Sequence, residues 1–260
     1  MAGGNSLTGW DNPYLENTMD HDDGTIGYVL SRRDILALAG AAGYAWLAGA
    51  SPLRAQAPAG ESACVVRPEQ TEGPYFVDQM LNRADLRPDP SDGSVRPGTP
   101  LVLTMAVSRL AGNACEPLPD LQVDLWQCDH LGIYSDVQDP GFDAKGKKFL
   151  RGYQITDRQG QVRFTTIYPG WYRGRTVHIH FKLRSRSGAG RGFAFTSQLY
   201  FDDALTDTVF AAEPYASRGP RSTRNQADRI YQTNGAQLML APTRIAGGYA
   251  ATFRIALQGV

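Results

Sequence analysis

Hydrophobic and polar residues alternate along several short stretches between residues 101 and 257, and a period of two residues is typical of β-strands with one buried face. Turn-forming sequences such as Asp157-Arg158-Gln159-Gly160 and Gly247-Gly248 separate these stretches. The pattern predicts strands at 101–107, 121–127, 152–156, 162–167, 177–183, 195–201 and 250–257.

The sequence has no long amphipathic helix pattern, and only short helices are expected, at 204–212 and 225–232. Proline and glycine interrupt the segments 67–76 and 85–100, which predicts loops there. Many short strands separated by turns favour an all-β fold. We expect a β-sandwich of mixed or antiparallel sheets with few short helices.

The first 57 residues have a different character. They contain, in order, a polar acidic leader to residue 30, the pair Arg32-Arg33, an uncharged stretch rich in Ala, Gly and Leu to residue 53, and Ala55-Gln56-Ala57. This order is typical of a twin-arginine export signal. We therefore expect residues 1–57 to be cleaved, leaving a mature domain of residues 58–260 in the periplasm or secreted, without stable membrane association. A retained membrane anchor and an internal helix are the alternatives.

Composition narrows the class of protein only slightly. The 260 residues, 42% of them apolar, are enough for one domain with a substantial core and a tail. Lys and Arg total 26, as do Asp and Glu, so the charge balance gives no indication of nucleic acid or an anionic surface as the main partner. The sequence leaves a homo-oligomer open.

All three cysteines follow the expected signal, so export to an oxidising compartment would allow two of them to pair. Cys64 and Cys115 lie in polar, loop-like surroundings near predicted strand ends, and we expect this pair to form a disulfide. Cys128 ends an alternating strand and is expected to be a buried thiol. The sequence alone does not fix the connectivity.

Two of the four histidines in the chain, His178 and His180, lie on one predicted strand. Residues two apart on a strand point to the same face, so the two imidazoles converge, as they do in metal sites. Tyr172 and Arg175 precede the pair closely and add a phenol and a cation. This combination differs from a structural zinc site.

Six stretches of the sequence, taken together and in this order, resemble one enzyme family. They are Gln70-Thr71-Glu72-Gly73-Pro74-Tyr75, Val123-Asp124-Leu125-Trp126-Gln127-Cys128-Asp129, Gly132-Ile133-Tyr134, Tyr168-Pro169-Gly170-Trp171-Tyr172, Arg175 with His178-Ile179-His180-Phe181, and Ser197-Gln198-Leu199-Tyr200-Phe201. The chain resembles the intradiol ring-cleavage dioxygenases, which include catechol, hydroxyquinol and protocatechuate dioxygenases. The resemblance implies a small catecholic substrate that is cleaved with O2 to a cis,cis-muconate-type dicarboxylate.

The same resemblance implies a non-haem ferric iron, Fe(3+), and assigns its ligands. These are Tyr134, Tyr172, His178 and His180. The chemistry of the residues agrees, because phenolate oxygens are hard anionic donors that favour the ferric state and imidazoles add neutral nitrogen donors.

Further residues take their expected roles from the resemblance alone. Arg175 would stabilise negative charge on the substrate, and Gln198 would lie beside the metal and bond to its hydroxide or to the substrate. Tyr172 would also act as a base. The substrate pocket would be bordered by Thr71, Gly73, Pro74 and Tyr75.

The chain departs from the family pattern between Tyr172 and Arg175, where only Arg173 and Gly174 intervene. Well-studied members have a longer insertion there, so the second tyrosine ligand is the assignment to test first, with Tyr168 as the substitute. Charged residues near the motifs could face an acidic substituent on the substrate; these are Arg151, Arg173 and Lys182.

Two other functions remain open from the sequence. One is a zinc hydrolase or lyase in which a carboxylate, Asp129 or Asp136, joins the histidine pair. The other is a non-catalytic β-sandwich binding module on the cell surface.

Overall fold

The computed structural model describes residues 64–185 and 192–259, and the predicted export signal lies outside the described residues. The strands are β1 (Pro100–Ala111), β2 (Ala114–Pro117), β3 (Leu121–Trp126), β4 (Gln138–Asp139), β5 (Phe142–Asp143), β6 (Arg151–Ile155), β7 (Gln161–Ile167), β8 (His178–Ser185), β9 (Ala194–Tyr200), β10 (Thr243–Ile245) and β11 (Gly248–Leu257). The α-helices are α1 (Asp203–Phe210) and α2 (Arg229–Asn234).

Most strands belong to two sheets. In the first sheet, β11 pairs with β1 in parallel and with β10 in antiparallel orientation, while β7 and β2 both pair with the opposite edge of β1. The second sheet has the order β6-β3-β8-β9 and is antiparallel throughout. The predicted all-β class with mixed and antiparallel sheets is therefore confirmed.

The main core contains residues of both sheets. On β1, Leu101, Leu103 and Met105 alternate with partly exposed neighbours and are completely buried. On β8, Ile179 and Phe181 belong to the same apolar cluster. The alternation that buries these residues therefore places His178 and His180 on the other face of β8.

The hydrophobic pattern located the long strands to within a few residues but missed the short ones. β2, β4, β5 and β10 have between two and four residues each, too few for a period of two to be visible. The second helix begins at Arg229 rather than at residue 225, because Asp228 caps it and residues 225–227 form a separate 3₁₀ turn. No helix in the described ranges is long and apolar enough to cross a membrane.

A disulfide joins Cys64 to Cys115 on β2, 51 positions apart in sequence, while Cys128 is a buried free thiol. Closing a loop of this length restricts the unfolded chain, so reduction should lower the free energy of unfolding by about 2–4 kcal/mol. Denaturant unfolding with and without reductant measures this difference. A Cys64→Ser/Cys115→Ser variant is the control and should not respond to reductant. Equal midpoints for the native chain in both conditions would contradict the prediction.

Candidate metal centre

The two histidines of β8 are held between the neighbouring strands of the second sheet. In the register of these strands, His180 lies opposite Trp126 on β3 and Gln198 on β9. The Trp126 indole stacks on the His180 ring, with centroids 4.9 Å apart and planes inclined by 9°. Both imidazoles are almost fully buried, so packing as well as backbone position fixes their direction.

Four side-chain donor atoms converge at this point. The Nε2 atom of His178 lies 3.0 Å from Nε2 of His180, 3.2 Å from Oη of Tyr172 and 3.5 Å from Oη of Tyr134. The Nδ1 atom of His178 lies 2.6 Å from the carbonyl oxygen of Thr176. A carbonyl oxygen can only accept a hydrogen bond, so Nδ1 carries the hydrogen and Nε2 of the neutral ring has a free lone pair. The structure therefore brings together all four residues for which the sequence predicted metal ligation.

The loops that carry the two tyrosines touch backbone to backbone. The amides of Gly132 and Gly170, one in each loop, both donate to the carbonyl oxygen of Asp129, at 2.9 and 3.2 Å. A Cβ atom on Gly170 would lie only 2.3 Å from that oxygen. Glycine is therefore required at this contact, which ties the loop of Tyr134 to the loop of Tyr172.

Burial and charge determine the protonation of the donors. Burial lowers the pKa of both histidines well below the usual value, and the Arg175 guanidinium lowers it further, so both rings are neutral near pH 7. Burial raises the pKa of Tyr172 to about 12 and that of Tyr134 well above its usual value. Neutral imidazoles can bind a metal as they stand, whereas these phenols lose their protons only beside a cation.

This donor set fits a ferric ion. The two phenol oxygens, one fully and one partly buried, become hard anionic ligands on deprotonation. Two neutral Nε2 atoms complete a site whose charge suits a trivalent metal. The carboxylates that a zinc site would need are engaged elsewhere. Asp129 accepts hydrogen bonds from the backbone amides of Leu131 and Ile133. Asp136 accepts hydrogen bonds from the side chain of Gln79 and the amide of Gly146. In the part of the chain that the structure describes, no three His, Cys, Asp or Glu side chains form a metal-binding group.

Arg175 and Gln198 lie beside the donors, as the sequence predicted. The Nη1 atom of Arg175 lies 3.5 Å from Nε2 of His178, and its Nη2 atom donates to Oε1 of Gln198. Gln198 donates in turn to the carbonyl oxygen of Thr71, at 3.0 Å. Gln198 is thus occupied in joining the arginine to the segment that begins at Thr71.

That segment covers one side of the centre. A Cβ atom on Gly73 would lie 3.4 Å from Cε1 of His180, so the backbone passes directly over this ligand. Pro74 is exposed, and the Tyr75 ring stacks on Tyr134 with centroids 4.6 Å apart. The Tyr75 hydroxyl donates to Asp139 at 2.9 Å.

The substitute ligand Tyr168 is fully buried in the main core, where its hydroxyl lies 2.7 Å from that of Thr206. Arg151, which the sequence suggested could face an acidic substituent on the substrate, has its guanidinium engaged within the protein. It is buried and donates to the hydroxyl and carbonyl oxygens of Ser135. Lys182 is paired with Glu72 at 2.6 Å, and Arg173 is exposed.

Two residues of the site were missed by sequence reasoning. Asp228 holds Arg175 through an ion pair of 2.8 Å, and Trp126 fixes the ring of His180. Only weak signals existed: Asp228 precedes a short apolar stretch as a helix cap does, and Trp126 continues an alternating strand. Neither signal indicates a role at a site formed by residues far away in sequence.

Known proteins are similar to this chain in sequence and in fold. A family model described as Dioxygenase matches residues 71–227. The protocatechuate 3,4-dioxygenase beta chain of Burkholderia cepacia is 31% identical over 152 residues, which cover 54% of this chain and 63% of that protein. Catechol 1,2-dioxygenase 2 of Acinetobacter lwoffii is 33% identical over 130 residues, which cover 44% and 45%. The chain thus spans less than two thirds of the length of these relatives.

Solved structures extend the likeness over most of the described chain. An intradiol ring-cleavage dioxygenase from Tetranychus urticae superposes with a TM-score of 0.66 at 28% identity, covering 76% of this chain and 96% of that one. The dioxygenase domain of a carbohydrate-binding fusion protein from Streptomyces sp. SirexAA-E gives 0.53 at 30% identity, covering 75% and 100%. The family model matches more than half of this chain, and the similar solved structures include an intradiol ring-cleavage dioxygenase. The chain belongs to the intradiol ring-cleavage dioxygenase family.

Proposed function

We propose that this chain is an Fe(III)-dependent intradiol dioxygenase that cleaves a catechol with O2 to a cis,cis-muconate-type dicarboxylate. The observation that supports this most directly is the convergence of two phenol oxygens and an imidazole nitrogen within 3.5 Å of Nε2 of His178. Tyr134, Tyr172, His178 and His180 would hold the iron. When bound, the iron would supply a Lewis acid that binds both oxygens of the catechol and makes its ring reactive toward O2.

The two tyrosines have different roles in this proposal because their burial differs. Tyr134 is completely buried against Tyr75, whereas Tyr172 is only partly buried and is followed by the exposed Arg173 and Gly174. Tyr172 is therefore the ligand with room to move. Its Oη atom would accept a phenolic proton from the incoming catechol.

Arg175 would supply a fixed positive charge next to the substrate. Its guanidinium is held near Nε2 of His178 and favours the deprotonated catechol and the negative charge that develops on the ring carbon. The segment from Thr71 to Tyr75 would limit the space for the ring and exclude water from one side.

The names of the relatives suggest the substrate class. Their substrates are catechol and protocatechuate, both single-ring catechols. The twin-arginine motif at Arg32-Arg33 supports export, so the substrate would be met in the periplasm or outside the cell. The partners proposed are this small molecule and O2, with no nucleic acid and no stable membrane association, and a homo-oligomer is left open.

Oxygen uptake by iron-loaded mature protein tests the proposal. Catechol, protocatechuate, hydroxyquinol and caffeate should be compared, and product absorbance should separate intradiol from extradiol cleavage. We expect one equivalent of iron per chain, a red-brown colour from tyrosinate-to-iron charge transfer, and intradiol product from at least one substrate. A colourless protein with a full equivalent of bound iron, or extradiol product, would overturn the proposal.

A further inference from the structure

The orientation of Arg175 depends on a residue 53 positions later in the chain. Two nitrogens of the guanidinium have separate partners: Nη2 donates to Gln198, and Nε donates to Oδ2 of Asp228 at 2.8 Å. The third nitrogen, Nη1, is the one near Nε2 of His178. Because a guanidinium is planar and rigid, fixing Nε and Nη2 also fixes the direction of Nη1.

Asp228 is built into the fold on its other side. Its Oδ1 atom caps α2 by accepting the amides of Ile230 and Tyr231, at 2.8 and 3.1 Å. Its Oδ2 atom accepts the amide of Thr176 at 2.8 Å in addition to Nε of Arg175. The side chain is 0% exposed, so one buried carboxylate joins the start of α2 to the segment that leads into β8.

A second contact holds the same two segments together. The hydroxyl of Thr176 donates to Oδ1 of Asn225 at 2.6 Å, and Nδ2 of Asn225 donates to the carbonyl oxygen of Phe201. Asn225 thus anchors the backbone next to Arg175, and this anchor does not involve the guanidinium. Position and orientation of Arg175 therefore have separate supports.

We propose that Asp228 is a positioning residue for the reaction, which orients the Arg175 guanidinium toward the substrate site. This inference rests on the proposed function. Without Asp228, Arg175 keeps its place in the chain but loses the bond that fixes its plane, and a misdirected charge stabilises the transition state less well.

Asp228→Asn separates the two roles of the carboxylate. Asparagine is a good helix N-cap, so its oxygen can keep the bonds to Ile230 and Tyr231. Its amide NH2 group then faces the N–H groups of Arg175 and Thr176, and these donors cannot bond to another donor. Asp228→Ser is a second variant, which can also cap the helix but has no group that reaches Arg175.

Asp202→Asn is the matched control. Asp202 caps α1 by accepting hydrogen bonds from the amides of Ala204 and Leu205. The substitution removes the same charge at a helix start, and the described hydrogen bonds of Arg175 go to other residues. Each iron-loaded variant should be assayed for kcat, KM, visible absorbance, thermal stability and the spectrum of its anaerobic complex with 4-nitrocatechol, which reports the ionisation of the bound catechol.

Asp228→Asn should lower kcat by about 10- to 100-fold, the loss typical of a misplaced catalytic group, and change KM much less. The tyrosinate band should persist, while the 4-nitrocatechol spectrum should shift toward the less ionised form. Asp202→Asn should match the native chain. The inference would be overturned if either Asp228 variant had the same kcat as Asp202→Asn, or if its lower kcat were explained by loss of iron. Failure of the proposed function would look different, because the native chain itself would lack the band or the activity.

Discussion

Replacing Tyr172 with phenylalanine should lower kcat/KM by about 10²- to 10⁴-fold, the range for removal of a general base. The phenol lies 3.2 Å from Nε2 of His178 and is the more accessible of the two tyrosines. Loss of a residue that only hydrogen-bonds to a metal ligand weakens metal binding by roughly 10- to 100-fold. Tyr134→Phe removes a ligand itself, so it should weaken iron binding by more than this. Both variants should lose intensity in the visible tyrosinate band. Iron content, absorbance and steady-state kinetics on the same preparations measure these effects.

Tyr168→Phe is the control. The short link between Tyr172 and Arg175 put the assignment of Tyr172 as a ligand in question, and Tyr168 is the substitute ligand. Its hydroxyl is buried against Thr206 and its ring packs on Phe201, with centroids 4.4 Å apart. Loss of that hydrogen bond should cost about 1 kcal/mol of stability and leave iron and colour unchanged. A Tyr168→Phe protein without the band, alongside a Tyr172→Phe protein that keeps it, would reverse the ligand assignment.

The parts of the fold that could be predicted are those in which a single segment contains the whole signal. β8 is the clearest case, because alternation along one strand both buries Ile179 and places His178 and His180 together on the other face. The prediction of the tyrosines was of another kind. It depended on resemblance to a family, since nothing in the local pattern shows that the loops of Tyr134 and Tyr172 meet.

What could not be predicted depends on residues far apart in sequence. Asp228, at the start of α2, bonds to Arg175 and Thr176 just before β8, and a local pattern does not contain that contact. The partner of Arg151 is hidden for the same reason: proximity to the motifs suggested an acidic substituent on the substrate, but Ser135 accepts hydrogen bonds from its guanidinium inside the protein. The parallel pairing of β1 with β11 joins strands far apart in sequence, at Pro100–Ala111 and Gly248–Leu257. Alternation specifies the face of a strand but not its partner.

The contact between the two tyrosine loops gives the second large expected effect. Gly170→Ala would place a methyl group 2.3 Å from the carbonyl oxygen of Asp129 and 2.7 Å from that of His130, and backbone atoms cannot turn away as a flexible side chain can. The loops must separate, at a cost of about 1–3 kcal/mol from overpacking. We expect lower stability and weaker iron binding together, because Tyr134 and Tyr172 then no longer converge on His178.

Comparison of apo and iron-loaded protein separates these two effects. If the loop contact sets the positions of the tyrosines, iron should raise the unfolding temperature of Gly170→Ala less than that of the native chain. The reason is that an ion bound more weakly stabilises the folded state less. Gly141→Ala is the control, because the nearest atom to its added methyl group would be Oδ1 of Asp139 at an ordinary 3.7 Å. A Gly170→Ala protein that is destabilised but keeps the native iron affinity and tyrosinate band would show that the ligands find their positions without this contact. In that case the histidine strand and the bound metal alone would draw the two phenols together.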